Sequence, residues 1–247
     1  DGPFSADNTY RLVPFNYRMM LCPGGHTSTY ANAYLPTNLF TSVGRQWTTL
    51  DKSNGLLEGT FDLVDVAVNP RDTNELVAAV WGYGLASIRD NQVQTFYNSS
   101  TTGGALVPYS SGSYSRLNTG AVAFDRKGDL WVLNSQSTHA LAVRRANGTW
   151  EKFSTMSMVS TPEVDKLVCD SITGFKWFCG RSNVIYVHDG DSRMAKVNPN
   201  NGSKLDKTTK VTALVQDQNG NLWLGTDMGI KVIYDGYKAF QNGGNNR

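Results

Sequence analysis

The stretch Val211–Phe240, VTALVQDQNGNLWLGTDMGIKVIYDGYKAF, decides the fold of this chain of 247 residues. Short apolar runs alternate in it with the turn signals DQNG, DMG and DG. A hairpin is favoured where Asp-Gly separates two apolar runs, because glycine adopts positive φ without strain. The stretch therefore predicts a sheet of four short antiparallel strands. These strands are expected at Val211–Gln216, Asn221–Gly225, Ile230–Tyr234 and Tyr237–Phe240.

The same pattern recurs upstream. Asp125–Trp131 and Asp217–Trp223 both read D-x-x-G-x-L-W, and Asp170–Trp177 is a looser copy with one extra turn residue. The three tryptophans that end these copies are each 46 residues apart. A further copy without this tryptophan lies at Leu63–Phe96, and a poorly matching one precedes it at Tyr17–Leu50. Internal repeats of this length indicate a fold built from repeated units.

Four-stranded sheets that recur every 40–50 residues are typical of one architecture, the β-propeller. We therefore predict an all-β fold, a β-propeller of four-stranded blades with about five blades in this chain. A closed five-bladed ring remains an alternative to the arrangement that we favour, an arc of a larger propeller. The expected units are an atypical first blade at 1–50, blades at 51–98, 119–155, 164–206 and 209–241, an inserted loop at 99–118 and a flexible tail at 242–247.

The residues of the repeat have a structural interpretation. The Asp of D-x-x-G bonds its own downstream backbone, and the Gly tolerates positive φ, so together they form a turn. The Trp on the following strand has the size to fill the gap between neighbouring blades. Asp125, Asp217 and the repeated tryptophans are therefore predicted to be scaffold, and no catalytic residue is assigned.

Composition excludes several classes of partner. The chain has 23 Lys+Arg and 21 Asp+Glu, a net charge of +2, which gives no basic field for a phosphate backbone, so nucleic acid is not an expected partner. No apolar run approaches the roughly 18–20 residues that span a bilayer, so membrane insertion is not expected. Three cysteines are too few for a dense disulfide framework. Cys169 and Cys179, which flank one hairpin and could face each other, are expected to be buried thiols because a bridge between adjacent strands is strained.

Motifs for metal, cofactor or nucleophilic chemistry are missing. His26, His139 and His188 have no metal-ligand spacing, so no metal and no cofactor is predicted. His188 precedes Asp189-Gly190 and is expected to be an exposed turn residue. The sequence has neither a G-x-S-x-G elbow nor a phosphate-binding G-x-x-x-x-G-K-[ST] loop. A carbohydrate hydrolase or lyase with paired carboxylates remains the enzymatic alternative.

One surface is predicted to bind a ligand. Trp81 and Tyr83 alternate with glycines at a position aligned with a strand-to-strand turn, and the insertion before the next blade brings Tyr109, Tyr114 and Arg116. Loops on a rigid scaffold often carry binding residues. Aromatic rings with an arginine suit stacking on sugars and contact with an anionic group. The alternative interpretation is inter-blade packing plus a flexible loop.

Two resemblances follow from the quoted motifs. The segment Leu214–Gly236, D-x-x-G-x-L-W-x-G-T-x-x-G-I with its closing DG, resembles the two-component regulator propeller repeat, common in periplasmic sensor halves of Bacteroidetes hybrid histidine kinases. The segment Met20–Tyr97 resembles PorZ-type propellers of the type IX secretion system, mainly through Pro23-Gly24-Gly25, Asn69-Pro70 and Trp81–Gly84. These resemblances together cover roughly residues 17–240.

The PorZ-type resemblance implies a non-enzymatic exported scaffold in the periplasm or at the outer-membrane surface. It implies as partners a glycan or anionic lipopolysaccharide and other cell-envelope proteins. Such proteins carry two seven-bladed propellers and a sorting domain, whereas this chain offers about five blades. The regulator resemblance implies a different function, a periplasmic ligand-sensing domain of a hybrid two-component regulator.

Overall fold

The structure, a computed structural model, describes residues 9–54, 58–111, 113–156, 163–180, 184–197, 210–234 and 236–240. Within these ranges the chain forms short antiparallel strands that order into successive sheets, with two 3-10 helices and no α-helix. The predicted all-β fold, a β-propeller of four-stranded blades, is confirmed.

Each sheet is built from consecutive strands, with the first strand of each sheet innermost. The second and third sheets are also joined, because Leu117 and Asn118 pair with Gly82 and Trp81. The strands of the first sheet are β1 Arg11–Phe15, β2 Arg18–Cys22, β3 Leu39–Val43 and β4 Gln46–Leu50. Those of the second are β5 Leu63–Asn69, β6 Asp72–Gly82, β7 Gly84–Arg89 and β8 Gln92–Tyr97. After the short strand β9 Tyr109–Ser111, the third contains β10 Tyr114–Phe124, β11 Leu130–Asn134, β12 Leu141–Arg144 and β13 Trp150–Phe153.

The last two sheets continue the same plan. The fourth contains β14 Val164–Cys169, β15 Lys176–Gly180, β16 Ile185–His188 and β17 Met194–Val197. The fifth has three described strands, β18 Val211–Gln216, β19 Leu222–Thr226 and β20 Gly229–Ile233. The 3-10 helices are Lys52–Asn54 and Gly236–Phe240.

Apolar clusters hold neighbouring sheets together. Alternation of side chains along each strand places one apolar row on each sheet face, and facing rows interdigitate. Between the third and fourth sheets, for example, Trp131 and Leu133 pack with Phe178 and Tyr186. Equivalent clusters lie between the other consecutive pairs of sheets. The core is therefore a series of apolar layers, one between each pair of neighbouring blades.

A hydrogen bond explains the spacing of the repeated motif. The indole Nε1 of Trp131 donates to Oδ2 of Asp125 at 3.0 Å, while Oδ1 accepts from the backbone of Lys127 and Asp129. The corresponding indole bonds join Trp177 to Asp170 at 3.3 Å and Trp223 to Asp217 at 2.9 Å. The predicted turn role of the Asp is thus only half of its function, since the same carboxylate also fixes the ring that packs against the next blade.

The fifth sheet presents an uncovered face. Trp131 and Trp177 are each 1% exposed because the following sheet packs over them, whereas Trp223 is 38% exposed. Val215 lies opposite Trp223 in the sheet, and Ile230 lies on the same face; both are also exposed. Within the described ranges the first sheet does not cover this face, so these five sheets form an open arc rather than a closed five-bladed ring.

Two segments differ from the sequence prediction. The expected strand Tyr237–Phe240 is a 3-10 helix, because Ala239 is buried against the fourth sheet and Phe240 meets Phe175 edge-to-face at 5.0 Å. Asp235, the predicted turn residue, and the tail at 242–247 lie outside the described residues. The segment 99–118, expected to be an inserted loop, contains β9 and the first residues of β10, and Asn98 caps its turn through backbone bonds from Ser100 and Thr101.

Cys169 and Cys179 are free thiols as predicted, Cys179 buried and Cys169 half-buried, whereas the predicted exposure of His188 is wrong. In the described part of the chain all three cysteines are free. Cys169 pairs with Lys176 and Cys179 with Lys166, so the two do not face each other across the hairpin. His188 is buried, not exposed, because its ring packs at a tilt against Phe153, with the ring centroids 4.4 Å apart. Burial lowers the pKa of His188 to about 4.

Candidate functional site

Arg116 lies between two exposed tyrosines. Its guanidinium carbon is 4.9 Å from the ring centre of Tyr114 and 5.6 Å from that of Tyr34, distances that give cation–π attraction. Tyr114 is 45% exposed and Tyr34 is 58% exposed, and Tyr109 contacts the Tyr114 ring at 6.4 Å. We call Tyr34, Tyr109, Tyr114 and Arg116 the arginine–tyrosine surface.

A buried carboxylate positions this surface. Asp62 is fully buried and accepts hydrogen bonds from the backbone of Tyr34 at 3.0 Å and Leu35 at 2.9 Å. Its Oδ2 also accepts from the amide of Asn32 at 2.9 Å, and the Asn32 carbonyl oxygen in turn accepts from Arg116. Because both Tyr34 and Arg116 are tied to the same carboxylate network, their relative position is fixed before any ligand arrives.

The guanidinium keeps donors for a ligand. Arginine has five N–H donors, and the protein uses one to Asn32 and one to the Tyr34 hydroxyl at 3.0 Å. The remaining donors and the exposed ring faces are the groups that contact acidic sugars in proteins. The arrangement therefore offers charge and stacking at one place.

Trp81 does not belong to this surface, and its predicted exposure is wrong. β6 extends to Gly82, so Trp81 lies within the strand rather than at a turn, and it is fully buried. Its ring packs 4.6 Å from His26 and edge-on to Tyr30 at 5.7 Å. Trp81 is therefore part of the core between the second and third sheets.

The glycines beside Trp81 and Tyr83 are required by packing, not by exposure of the aromatic rings. Gly84 has φ +124°, and a Cβ there would lie 2.2 Å from the carbonyl oxygen of Tyr97. A Cβ on Gly82 would meet Asn32 at 3.0 Å. Tyr83 is half-buried and pairs through its backbone with Leu117, the neighbour of Arg116.

Of the five residues predicted for the site, the structure brings three together: Tyr109, Tyr114 and Arg116. Tyr34 completes the surface and was missed, because it lies 82 positions from Arg116 and belongs to no motif. Its approach depends on Asp62, a buried residue whose role is visible only in the fold.

A second polar cluster lies at the centre of the arc. His26 Nε2 is 3.1 Å from Asp165 Oδ2 and 2.8 Å from the hydroxyl of Tyr10. Tyr30 donates to the same Asp165 oxygen at 3.1 Å, and Lys166 donates to the other oxygen at 2.7 Å. Burial acts to raise the pKa of Asp165, but the hydrogen bonds and charges of His26 and Lys166 outweigh it and lower the pKa to about 2.

Arg11 extends this cluster toward the second sheet. It donates to Asp65 at 3.2 Å and to the backbone oxygen of Asp165 at 2.6 Å. Burial raises the pKa of Asp65, opposed by Arg11 and by backbone bonds from Val122 and Val66. The centre is thus a network that joins the first, second and fourth sheets.

Both ring nitrogens of His26 are engaged within the protein. A histidine that exchanges a proton with a substrate does so through a nitrogen within hydrogen-bond reach of that substrate. Nδ1 of His26 is 2.9 Å from the carbonyl oxygen of Thr27, which only accepts, and Nε2 meets both Asp165 and Tyr10. General-base catalysis by His26 would require one of these bonds to break.

In the described part of the chain, no three or more His, Cys, Asp or Glu side chains are grouped so that they could hold a metal ion. None of the helices in that part has the length and apolar character needed to cross a membrane.

The repeated sheets, the Asp–Trp bonds and the layered core define the class of this protein: a β-propeller. Residues 207–228 match the family model described as "Two component regulator propeller". A comparison with curated proteins found no match.

Solved structures that share the fold include propellers from bacterial surface proteins. It is similar to PorZ, described as an essential bacterial surface component of the type-IX secretion system of Porphyromonas gingivalis, with TM-score 0.81, 21% identity, and coverage of 98% of this chain and 34% of that chain. It is also similar to the extracellular domain of the putative hybrid two component system BT3049 from B. thetaiotaomicron, with TM-score 0.63, 13% identity, and coverage of 94% and 28%. The chain thus spans about a third of the length of these two structures.

An enzyme shares the same fold. Virginiamycin B lyase from Staphylococcus aureus matches with TM-score 0.58 and 9% identity over 88% of this chain and 63% of that chain. At these identities the similarities show the fold, and the role of the chain has to come from its own residues.

Proposed function

We propose that this propeller is a non-enzymatic interaction module of an exported protein, a PorZ-like component of the type IX secretion system that binds an anionic glycan such as lipopolysaccharide. It acts in the periplasm or at the outer-membrane surface, beside other cell-envelope proteins. The observation that carries the proposal is the arginine–tyrosine surface, in which Arg116 lies between the exposed rings of Tyr34 and Tyr114.

The chemistry of this surface favours an acidic sugar chain. Tyrosine rings stack on the apolar faces of sugar rings, and the unused guanidinium donors bind a carboxylate or phosphate. The pre-positioning by Asp62 lowers the ordering cost of binding. Similarity in fold to PorZ supports the cellular setting.

The test is binding of the protein to immobilised acidic lipopolysaccharide, measured by surface plasmon resonance for wild type, Tyr114→Ala and Arg116→Gln. Each substitution is expected to weaken binding about 5–30-fold, the equivalent of about 1–2 kcal/mol. Tyr17→Ala is the matched control, since Tyr17 is 90% exposed at the turn between β1 and β2 and should bind as wild type. Equal affinity of all four proteins would contradict the proposal.

Trp81 is unsuitable for this test. Its ring is buried against His26 and Tyr30, so Trp81→Ala would leave a cavity in the core and lower stability without reporting on the surface. A loss of binding in that variant would carry no information about glycan contact.

A second candidate function is ligand sensing in a hybrid two-component regulator. It is favoured by the family match at residues 207–228 and by the fold shared with the BT3049 extracellular domain. The gene that encodes this chain distinguishes the two: a kinase region with a membrane-spanning segment supports the sensor, and a sorting domain supports the secretion component. Breakdown of an acidic polysaccharide by the purified protein would instead support the enzymatic alternative, a hydrolase or lyase.

A further inference from the structure

A cavity of about 850 Å³ opens at the centre of the arc, apart from the arginine–tyrosine surface. Its walls come from β1 and the loop that carries His26, from β14 and from β18. Ligand pockets in proteins typically measure 300–1,000 Å³, so this volume accommodates one or two sugar rings. No residue of the arginine–tyrosine surface lines it.

Positive charge exceeds negative charge on the walls. The lining contains Arg11, Lys166 and Lys210, but Asp165 is its only carboxylate within the described ranges. Asp65, just behind the wall, pairs with Arg11. Asp165 is 7% exposed at its side chain and is enclosed by donors from His26, Tyr30 and Lys166, so its charge is satisfied inside the protein.

Lys210 places a positive charge at the cavity, unpaired among the described residues. It is exposed, and within the part of the chain that the structure describes its ammonium group makes no ion pair. Lys166 uses one of its three N–H donors on Asp165 and keeps two. Lys166 lies on β14, the innermost strand of the fourth sheet, and Lys210 immediately precedes β18, the innermost strand of the fifth; both line the cavity.

The remaining walls of the cavity offer contacts for the uncharged part of an organic ligand. Among the described strands β18 pairs with β19 alone, so its other edge presents backbone N–H and C=O groups to the centre. Thr212 and Ser28 bring hydroxyls, whereas Leu12 and Val215 bring apolar surface. A bare inorganic ion would leave these groups unused.

We propose that the central cavity binds a small organic anion, a carboxylated or phosphorylated sugar of one or two rings, with its charged group held by Lys166 and Lys210. This site is separate from the proposed glycan surface, and its ligand is a small molecule rather than a polymer. Binding at this place contacts the first, fourth and fifth sheets together and therefore stabilises the arc.

Isothermal titration calorimetry tests the site with four probes: glucuronate, glucose 6-phosphate, inorganic phosphate and glucose. We expect saturable binding of glucuronate or glucose 6-phosphate, with the stronger of the two identifying the charged group. Lys210→Gln and Lys166→Gln should each weaken it at least tenfold. Lys196→Gln, an exposed lysine on β17, and Arg116→Gln should leave it unchanged.

The inference is overturned if neither sugar anion binds, if glucose binds as well as the anions do, or if inorganic phosphate alone binds. It is also overturned if the Lys210 and Lys166 variants both bind like wild type, because the charged group then lies elsewhere. Lys210→Gln keeps the test independent of folding, since Lys210 is exposed. A negative result for the central cavity does not bear on the arginine–tyrosine surface. That surface is tested separately, by loss of lipopolysaccharide binding in Arg116→Gln.

Discussion

His26 Nε2 lies 3.1 Å from Oδ2 of Asp165, so a polar contact links two residues 139 positions apart across the centre of the arc. His26 follows the second strand of the first sheet, and Asp165 lies on the innermost strand of the fourth. Neighbouring sheets are held by apolar layers, whereas this contact joins sheets that are not neighbours. The centre of the arc is therefore held by polar contacts between sheets that share no apolar layer.

Replacing Asp165 by Asn should lower the free energy of unfolding at pH 7 by about 2 kcal/mol, because the pKa of Asp165 is lowered to about 2 in the folded state. The unfolded chain binds this proton near pH 4, so the stabilisation is present above that pH and is lost as pH falls toward 2. Urea unfolding of both proteins at pH 7 and pH 3 should show a difference roughly halved at pH 3. Asp90→Asn, at an exposed turn, is the control; a pH-independent difference for Asp165→Asn would contradict the assignment.

Trp131→Ala and Trp223→Ala compare one motif residue in a covered and an uncovered sheet. Trp131 is 1% exposed, so Trp131→Ala should lower the free energy of unfolding in urea by about 3–5 kcal/mol, as expected when a large ring is removed from a core. Trp223 is 38% exposed, so Trp223→Ala should lower the free energy of unfolding by less than half as much. Equal losses would show that the outer face of the fifth sheet is covered in solution, and sedimentation velocity would then reveal whether a second molecule covers it.

The ion pair between Lys176 and Asp125 is buried between the third and fourth sheets, with a distance of 3.3 Å. Asp125→Asn leaves the Lys176 charge uncompensated and should destabilise by about 3 kcal/mol. Lys176→Met should also destabilise, because the Asp125 carboxylate loses its charged partner. The loss should be smaller than for Asp125→Asn, since Trp131 and the backbone of Lys127 still donate to that carboxylate and an apolar chain replaces the desolvated ammonium over the Trp131 ring. In the double variant the cost of Asp125→Asn should shrink, and additive effects would contradict a coupled pair.

His188 should make the protein less stable in mild acid. Burial lowers its folded pKa to about 4, below the ordinary histidine value of 6.5, so its neutral form is favoured in the native state. Between these pH values the unfolded chain binds the proton and the native chain does not, so stability falls by about 2 kcal/mol from pH 7 to pH 5. His188→Gln should reduce this slope in urea unfolding series, and His139→Gln is the comparison; an unchanged slope in His188→Gln would rule out its role.

The predicted exposures of Trp81 and His188 are wrong for the same physical reason. The glycines beside Trp81 suggest an exposed turn, but Gly84 is glycine because the Tyr97 carbonyl oxygen lies where a Cβ would be. His188 looked like a turn residue, but Phe153 from the preceding sheet covers it. Local chemistry indicates that a turn or a glycine is needed, while burial depends on what a distant segment brings.

The sequence by itself determined the strand order, the turns and the layer residues, because hydrophobic alternation and D-x-x-G turns act over a few residues and repeat along the chain. Only the tertiary structure decided which residues meet between segments: Tyr34 beside Arg116 through Asp62, and His26 beside Asp165 at the centre. Such contacts depend on the rotation of one blade relative to another, which no local pattern encodes. The scaffold could thus be predicted from repeats, whereas the candidate sites arise where non-repeating residues are brought together by the arc.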